Sequence, residues 1–147
     1  MALKFSVDAS GMDAVKAALA QACTKAEHEV AMAIKADTRS FVPSSGAAAG
    51  LMNRAYVTGN SVVYPGPYAR YLYYGKVWID PKINAAGFLT DEGWFSRKGS
   101  KKVPTERDLH ISQAVNPKAC SHWFEASKAQ NLEKWVRVAD KAVKDEL

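Results

Sequence analysis

Two long stretches free of glycine and proline bracket a middle that is full of both, and this layout constrains the fold more than any other feature. From Met12 no glycine or proline interrupts the chain until Pro43, and none occurs from Ser121 to the C-terminal Leu147. In the first stretch Met12, Val15, Leu19, Ala22, Ala26, Val30, Ala33 and Ile34 recur at three- and four-residue steps, the period of an amphipathic helix. Ser10 followed by Asp13 predicts its start, with a carboxylate near free backbone N–H groups. About thirty residues of helix would span roughly 45 Å, long for one small domain. Such a helix lies across a sheet or is shared with a neighbouring subunit, and its alanine-rich stripe lets another backbone approach closely. In the second stretch Ala129, Leu132, Val136, Ala139 and Val143 form the apolar stripe, with Trp135 beside it, Ser121 as cap and Glu125 shortly after. This predicts a C-terminal helix packed through one face.

The middle reads as short strands and turns. Leu3, Phe5 and Val7, ahead of the first helix, alternate with Lys4 and Ser6 and predict a short half-buried strand. After Pro43 the small residues Gly46, Ala47, Ala48, Ala49 and Gly50 read as a loop. Two β-type runs, 51–58 and 61–64, are separated by Gly59 and Asn60 and predict a hairpin. Pro67 pre-sets the first turn of a short helix that Gly75 stops, and a strand resumes over residues 76–79. Residues 80–119 are the least regular, with Gly87, Gly93, Gly99, Pro104 and Pro117. Segments this long without structure of their own are uncommon unless functional, so a loop or β-arm insertion is expected there, with residues 109–112 as a strand closing the sheet. The expected fold is α+β. One small antiparallel sheet packs against a long N-terminal helix and a C-terminal helix in a single domain, 1–147.

At 147 residues the chain is long enough for one core. The first residues hold no long apolar run and no stretch could span a bilayer, which predicts a protein without a signal peptide, made and used in a cytoplasm. Cys23 and Cys120 lie far apart outside any C-x-x-C pattern and read as two buried or half-buried thiols rather than a disulfide or metal site. The formal net charge is +5 and the pI near 9.2. The excess gathers at Arg97, Lys98, Lys101, Lys102 and Arg107, with Glu106 and Asp108 as the nearest acids. Such a cluster is either a solvated loop or a track for a phosphate backbone.

Motifs for chemistry are missing. The chain has no nucleophile elbow, P-loop or dinucleotide fingerprint. His28, His110 and His122 lack the spacing of a helical metal pair and read as structural, His28 as an exposed helix residue. Asp80, Asp91 and Glu92 are the only carboxylates worth weighing for a metal-dependent hydrolase, and no third ligand joins Asp91 and Glu92. No catalytic residue, metal ligand or cofactor is expected.

The densest feature is aromatic. Tyr68, Tyr71, Tyr73 and Tyr74, four of the six tyrosines, fall within seven residues, interleaved with Arg70 and followed by Lys76. The cluster reads either as core packing or as an interface, because tyrosine and arginine bury large areas and keep a polar tip. Trp94 and Phe95 extend the candidate interface into the central arm. They could equally stack bases, which keeps open a small basic nucleic-acid-binding domain using residues 94–107.

Taken in order, Val42-Pro43 with its Ser/Gly turn, then Val63-Tyr64 and the run from Pro67 through Tyr74, Gly75, Lys76 and Val77, then His122-Trp123-Phe124-Glu125 and Trp135, the chain resembles the minor capsid proteins of tailed bacteriophages, within the wider head–tail connector or tail-completion group. The resemblance covers all but residues 80–119. It departs from the family pattern after Pro43, where Ala47, Ala48 and Ala49 lead into Gly50-Leu51 without the usual polar ending, and in its long basic insertion.

The resemblance implies a structural, non-enzymatic virion protein of the neck, assembled in the host cytoplasm, which joins the head-closure ring to the tail tube. It implies a homo-oligomer, a six-fold ring, whose partners are head-closure or adaptor proteins and a tail terminator or tail tube protein. DNA would pass through the channel without sequence-specific binding, and no membrane is involved. A closing ring needs heterologous contacts, which the long helix and the tyrosines could supply, with the arm touching protein before DNA.

Overall fold

The computed structural model describes residues 2–46, 50–66 and 68–147. The loop expected at Ala47, Ala48 and Ala49 and the helix-starting role of Pro67 lie outside these residues. Among the described residues four helices and six strands follow in the order α1 (Met12–Thr38), a 3-10 turn (Arg39–Phe41), α2 (Leu51–Arg54), β1 (Tyr56–Thr58), β2 (Ser61–Val63), α3 (Tyr68–Tyr74), β3 (Lys76–Ile79), β4 (Phe88–Thr90), β5 (Gly93–Phe95), β6 (Val103–Asp108) and α4 (Trp123–Glu146). The α+β reading holds, with a long helix at each end of the mixed middle.

Helices α1 and α4 form the principal packing pair. They run antiparallel, because Lys25 pairs with Glu146 while Lys134 Nζ lies 2.6 Å from Asp37 Oδ1. Beyond the second pair the buried Thr38 hydroxyl donates to Ser127 Oγ at 3.0 Å. The indole Nε1 of Trp135 donates to Asp37 Oδ2 at 2.9 Å. Ala22, Ala26 and Ala31 of α1 are buried, as are Trp123, Ser127, Trp135 and Ala142 of α4. Small buried residues, Ala22, Ala26 and Ala31 on α1 and Ser127 and Ala142 on α4, let the two helices approach closely.

That seam corrects the stripe expected for α4. Leu132, Val136 and Ala129 are exposed, while Ala139 and Val143 are half-buried. Hydropathy favoured the branched residues, but the face turned to α1 and to the Phe41–Val42 core carries the indoles of Trp123 and Trp135 and the small Ser127 and Ala142. The first third of α1 is also not covered. Lys25 already meets Glu146, the last residue of α4, so the turns carrying Met12, Val15 and Leu19 overhang the partner helix and stay exposed.

Both helix starts differ from expectation. Gly11 is the N-cap of α1, without a side-chain bond, and Asp8 accepts from the Ser10 amide instead. Before α4, His122 sits in the left-handed region at φ 50 and caps without its side chain, so Ser121 is not the cap. Residues 3–7 form no strand, and Leu3, Phe5 and Val7 are fully exposed. Alternation creates a strand only where an edge is available to pair with it, and no described ribbon reaches this segment.

In place of the expected single sheet, the described residues hold three separate two-stranded antiparallel ribbons, β1–β2, β3–β6 and β4–β5. The first is the predicted hairpin, turning at Gly59 and Asn60, with Tyr56 opposite Val63. The run from Leu51 opens with the single turn α2 instead of strand. The strand that returns to β3 is β6, with Trp78 opposite Pro104 and Ile79 opposite Val103, and not residues 109–112. Each strand of a two-stranded ribbon keeps one free edge, where a proline is tolerated. Leu109 then only donates its amide to Gly75 O at 2.8 Å.

A small core of Phe41, Val42 and Trp123 joins the helix pair to the ribbons, with Leu51, Met52, Tyr64, Leu72 and Tyr73 packed on it. Asn116 ties the distant chain to this core, donating from Nδ2 to Arg39 O at 3.0 Å and to Val42 O at 2.9 Å. Of the cysteines, Cys120 is half-buried beside this core, within the expectation of buried or half-buried thiols, whereas Cys23 is exposed on α1 and departs from it. Burial pushes the Cys120 thiol up from its ordinary value.

Candidate interaction surface

Helix α3 divides its tyrosines between the interior and the solvent. Tyr73 points inward. Its ring stands edge-on to Trp123 at 4.8 Å and lies 5.1 Å from the ring of His122. Its hydroxyl donates to the Glu125 carboxylate. Burial, and then the bond to Glu125, push the Tyr73 phenol well above its ordinary range, while the same bond holds Glu125 below its own. Tyr71 packs on Trp78, ring centres 5.3 Å apart, and the Arg70 guanidinium lies 5.0 Å from the centre of the same indole, a cation–π contact. These three residues are engaged within the chain. Tyr68 and Tyr74 face outward, Tyr68 with 73 % of its surface exposed.

Gly75 ends α3 and joins three elements at one point. At φ +66 its amide donates to Tyr71 O, and the next amides in space, Leu109 and His122, donate to Gly75 O and Tyr73 O. Lys76, next in line, is paired with Asp108 across the β3–β6 ribbon, so its charge is already met.

The central arm, residues 80–119, is organised by a buried carboxylate. Asp80 is 1 % exposed. It accepts from Arg97 Nε at 2.9 Å, Arg97 Nη2 at 3.2 Å and the Lys82 amide at 2.9 Å. The guanidinium first, then the Lys82 amide, hold its pKa down to about 2. Arg97, one of the candidate basic residues of the arm, is thus paired within its own chain. Lys98, Lys101, Lys102 and Arg107 make no ion pair among the described residues. Asp91 and Glu92 are exposed at the β4–β5 turn. Among the described residues no group of three or more histidines, cysteines and carboxylates is placed to hold a metal ion.

Strands β4 and β5 pair Phe88 with Phe95 and Leu89 with Trp94. Opposed residues of an antiparallel pair share a face, so the ribbon carries Phe88 and Phe95 on one side and Leu89 and Trp94 on the other. The second side is the barer one, with Leu89 68 % and Trp94 73 % exposed. Sequence reasoning singled out Trp94 and Phe95 but missed Leu89, whose pairing register was the signal.

It also missed a groove beside α3. This groove, of about 420 Å³, is lined by Leu51, Pro65, Tyr68, Leu72 and Ile111 with the exposed Arg54 among them. Its walls come from segments as distant as residues 43 and 112, so no local pattern announces it. No helix among the described residues is long and apolar enough to cross a membrane.

What these surfaces offer is contact area, aromatic and basic, distributed over several elements. The family described as minor capsid protein matches residues 3–143, and the chain belongs to that family. It is thus a structural component of a phage virion, in agreement with the resemblance read from the tyrosine segment. No curated protein and no solved structure matches the chain.

Proposed function

We propose that the chain is a ring subunit of the virion neck, joining the head-closure ring to the tail tube around the channel that DNA crosses. The observation that carries this reading is the apolar surface one copy leaves uncovered. Phe5, Val7 and Val15 at the N-terminal end, Tyr68 and Tyr74 on α3, and Leu89 and Trp94 on the arm are all exposed. Leu89 and Trp94 lie opposed on one ribbon face, aromatic residues such as Trp94 and the α3 tyrosines are favoured at protein contacts, and their separate positions suit a subunit that touches several neighbours. Tyr68, Tyr74, Trp94 and Phe95 are the contact residues of this reading. Arg70, Tyr71, Tyr73 and Lys76 act behind them, shaping α3 and β3. The partners are further copies in a six-fold ring, a head-closure or adaptor protein on one side and a tail terminator or tail tube protein on the other.

Gold-labelled antibody on purified virions carrying the protein tests the position. Label at the junction of head and tail is the expected result, and label over the head shell overturns it. Light scattering at low and high protein concentration tests the ring, with a rise towards a closed oligomer expected.

A second reading is supported by Lys98, Lys101, Lys102 and Arg107, which have no carboxylate partner among the described residues. These four could follow a phosphate backbone as DNA passes. Salt-dependent binding that disappears when all four are changed to glutamine would favour it. Binding unchanged by those substitutions would remove it.

A further inference from the structure

The β4–β5 hairpin and the groove beside α3 match in apolarity and in charge, yet no hairpin residue lines the groove of its own chain. The hairpin bears the bare Leu89–Trp94 face and an acidic turn, Asp91 and Glu92. The Thr90 hydroxyl accepts from the Glu92 amide at 3.3 Å and donates to Gly93 O at 3.0 Å, which firms that turn. The groove offers a mainly apolar lining, with Arg54 as its fixed cation and Ser44, Ser45, His110 and Ser112 as its polar residues. Neither Asp91, Glu92 nor Arg54 has an ion-pair partner among the described residues. At about 420 Å³ the groove falls within the size range of pockets that take small organic groups, enough for an indole.

The geometry points to a second copy of this chain as the occupant. The hairpin of one copy seats Trp94 and Leu89 on the groove lining of the next, with Asp91 and Glu92 facing Arg54. Knob and groove are different surfaces, so the contact is heterologous and repeats from copy to copy until a ring closes; in this it rests on the ring reading. A hairpin contact alone is smaller than the roughly 800 Å² per partner of a stable interface. Association through it is therefore weak in solution and rises with concentration. The charge pair makes it weaken with salt as well.

The test places a benzophenone photocross-linker at Leu89 in the full chain and mixes copies of two isotopic compositions before illumination. Expected are mixed-isotope cross-links from position 89 to Leu51, Arg54, Tyr68 or Ile111, increasing with concentration. Arg54→Glu should lower their yield by about tenfold or more, since like charges then face one another. Adding Asp91→Arg and Glu92→Arg should restore it. No cross-link between copies, or cross-links to another surface, overturns the docking. A closed oligomer by light scattering that lacks this cross-link removes the docking and leaves the ring. A monomer without cross-links removes the docking too, and the neck position is still read separately from the gold label.

Discussion

The Arg97 guanidinium holds the buried Asp80 carboxylate with two hydrogen bonds, Nε to Oδ2 at 2.9 Å and Nη2 to Oδ1 at 3.2 Å, and so ties the two ends of the central arm's first half. Arg97→Ala leaves that carboxylate buried without its cation, the costly way to break such a pair. The expected result is faster hydrogen exchange at the Lys82 and Asn84 amides, both bonded to Asp80, with α1 and α4 little affected. The pH dependence follows from the sign of the shift. The folded value, about 2, lies below the unfolded value near 3.9. The stabilisation is therefore complete above the unfolded value and is lost as pH falls towards 2. Exchange at these amides should accelerate between about pH 4 and pH 2 in the wild type beyond the intrinsic trend, and Asp80→Asn should remove that excess. Equal profiles for the two proteins would show that the carboxylate is not the tie.

Gly75 is expected to tolerate no side chain. A Cβ there would stand 2.7 Å from Ser121 Cβ, and its φ of +66 disfavours any other residue. Gly75→Ala should cost about 1–2 kcal/mol from the backbone conformation alone, with more from displacing Ser121. Chemical denaturation measures it. A variant as stable as the wild type would mean that the junction of α3, β3 and α4 is loose.

Trp135 and Val136 are neighbours with opposite surroundings, 4 % and 59 % exposed. Trp135→Ala should cost about 3–5 kcal/mol, the usual cost of emptying a buried tryptophan site. Val136→Ala should stay within about 0.5 kcal/mol. Similar losses from the two, in parallel thermal or denaturant melts, would overturn the described helix seam.

Removing residues 2–9 should leave the fold intact. Leu3, Phe5 and Val7 touch nothing that shields them, and the segment contributes only short local bonds to the start of α1. Stability is expected to change by less than about 0.5 kcal/mol, with an unchanged circular dichroism spectrum. A larger loss would reveal that this segment packs on the domain.

Local patterns alone determined a good part of this protein. The periods of α1 and α4, the Gly59–Asn60 hairpin, the short tyrosine helix and its stop at Gly75 all rest on interactions between residues close in sequence, as did the ordered motifs that carried the family resemblance. Only the tertiary structure decided which face of α4 is buried, because that choice depends on where Asp37 and Thr38 of α1 and the Phe41–Val42 core meet it. The same holds for residues 3–7, whose alternation finds no edge, and for β6, which takes the place expected of residues 109–112. It also decided which tyrosines turn inward, that Arg97 belongs to Asp80, and that a groove opens beside Tyr68. Helical period and turn chemistry are properties of a segment, whereas burial, pairing and charge satisfaction are properties of two segments meeting, and one segment does not record its partner.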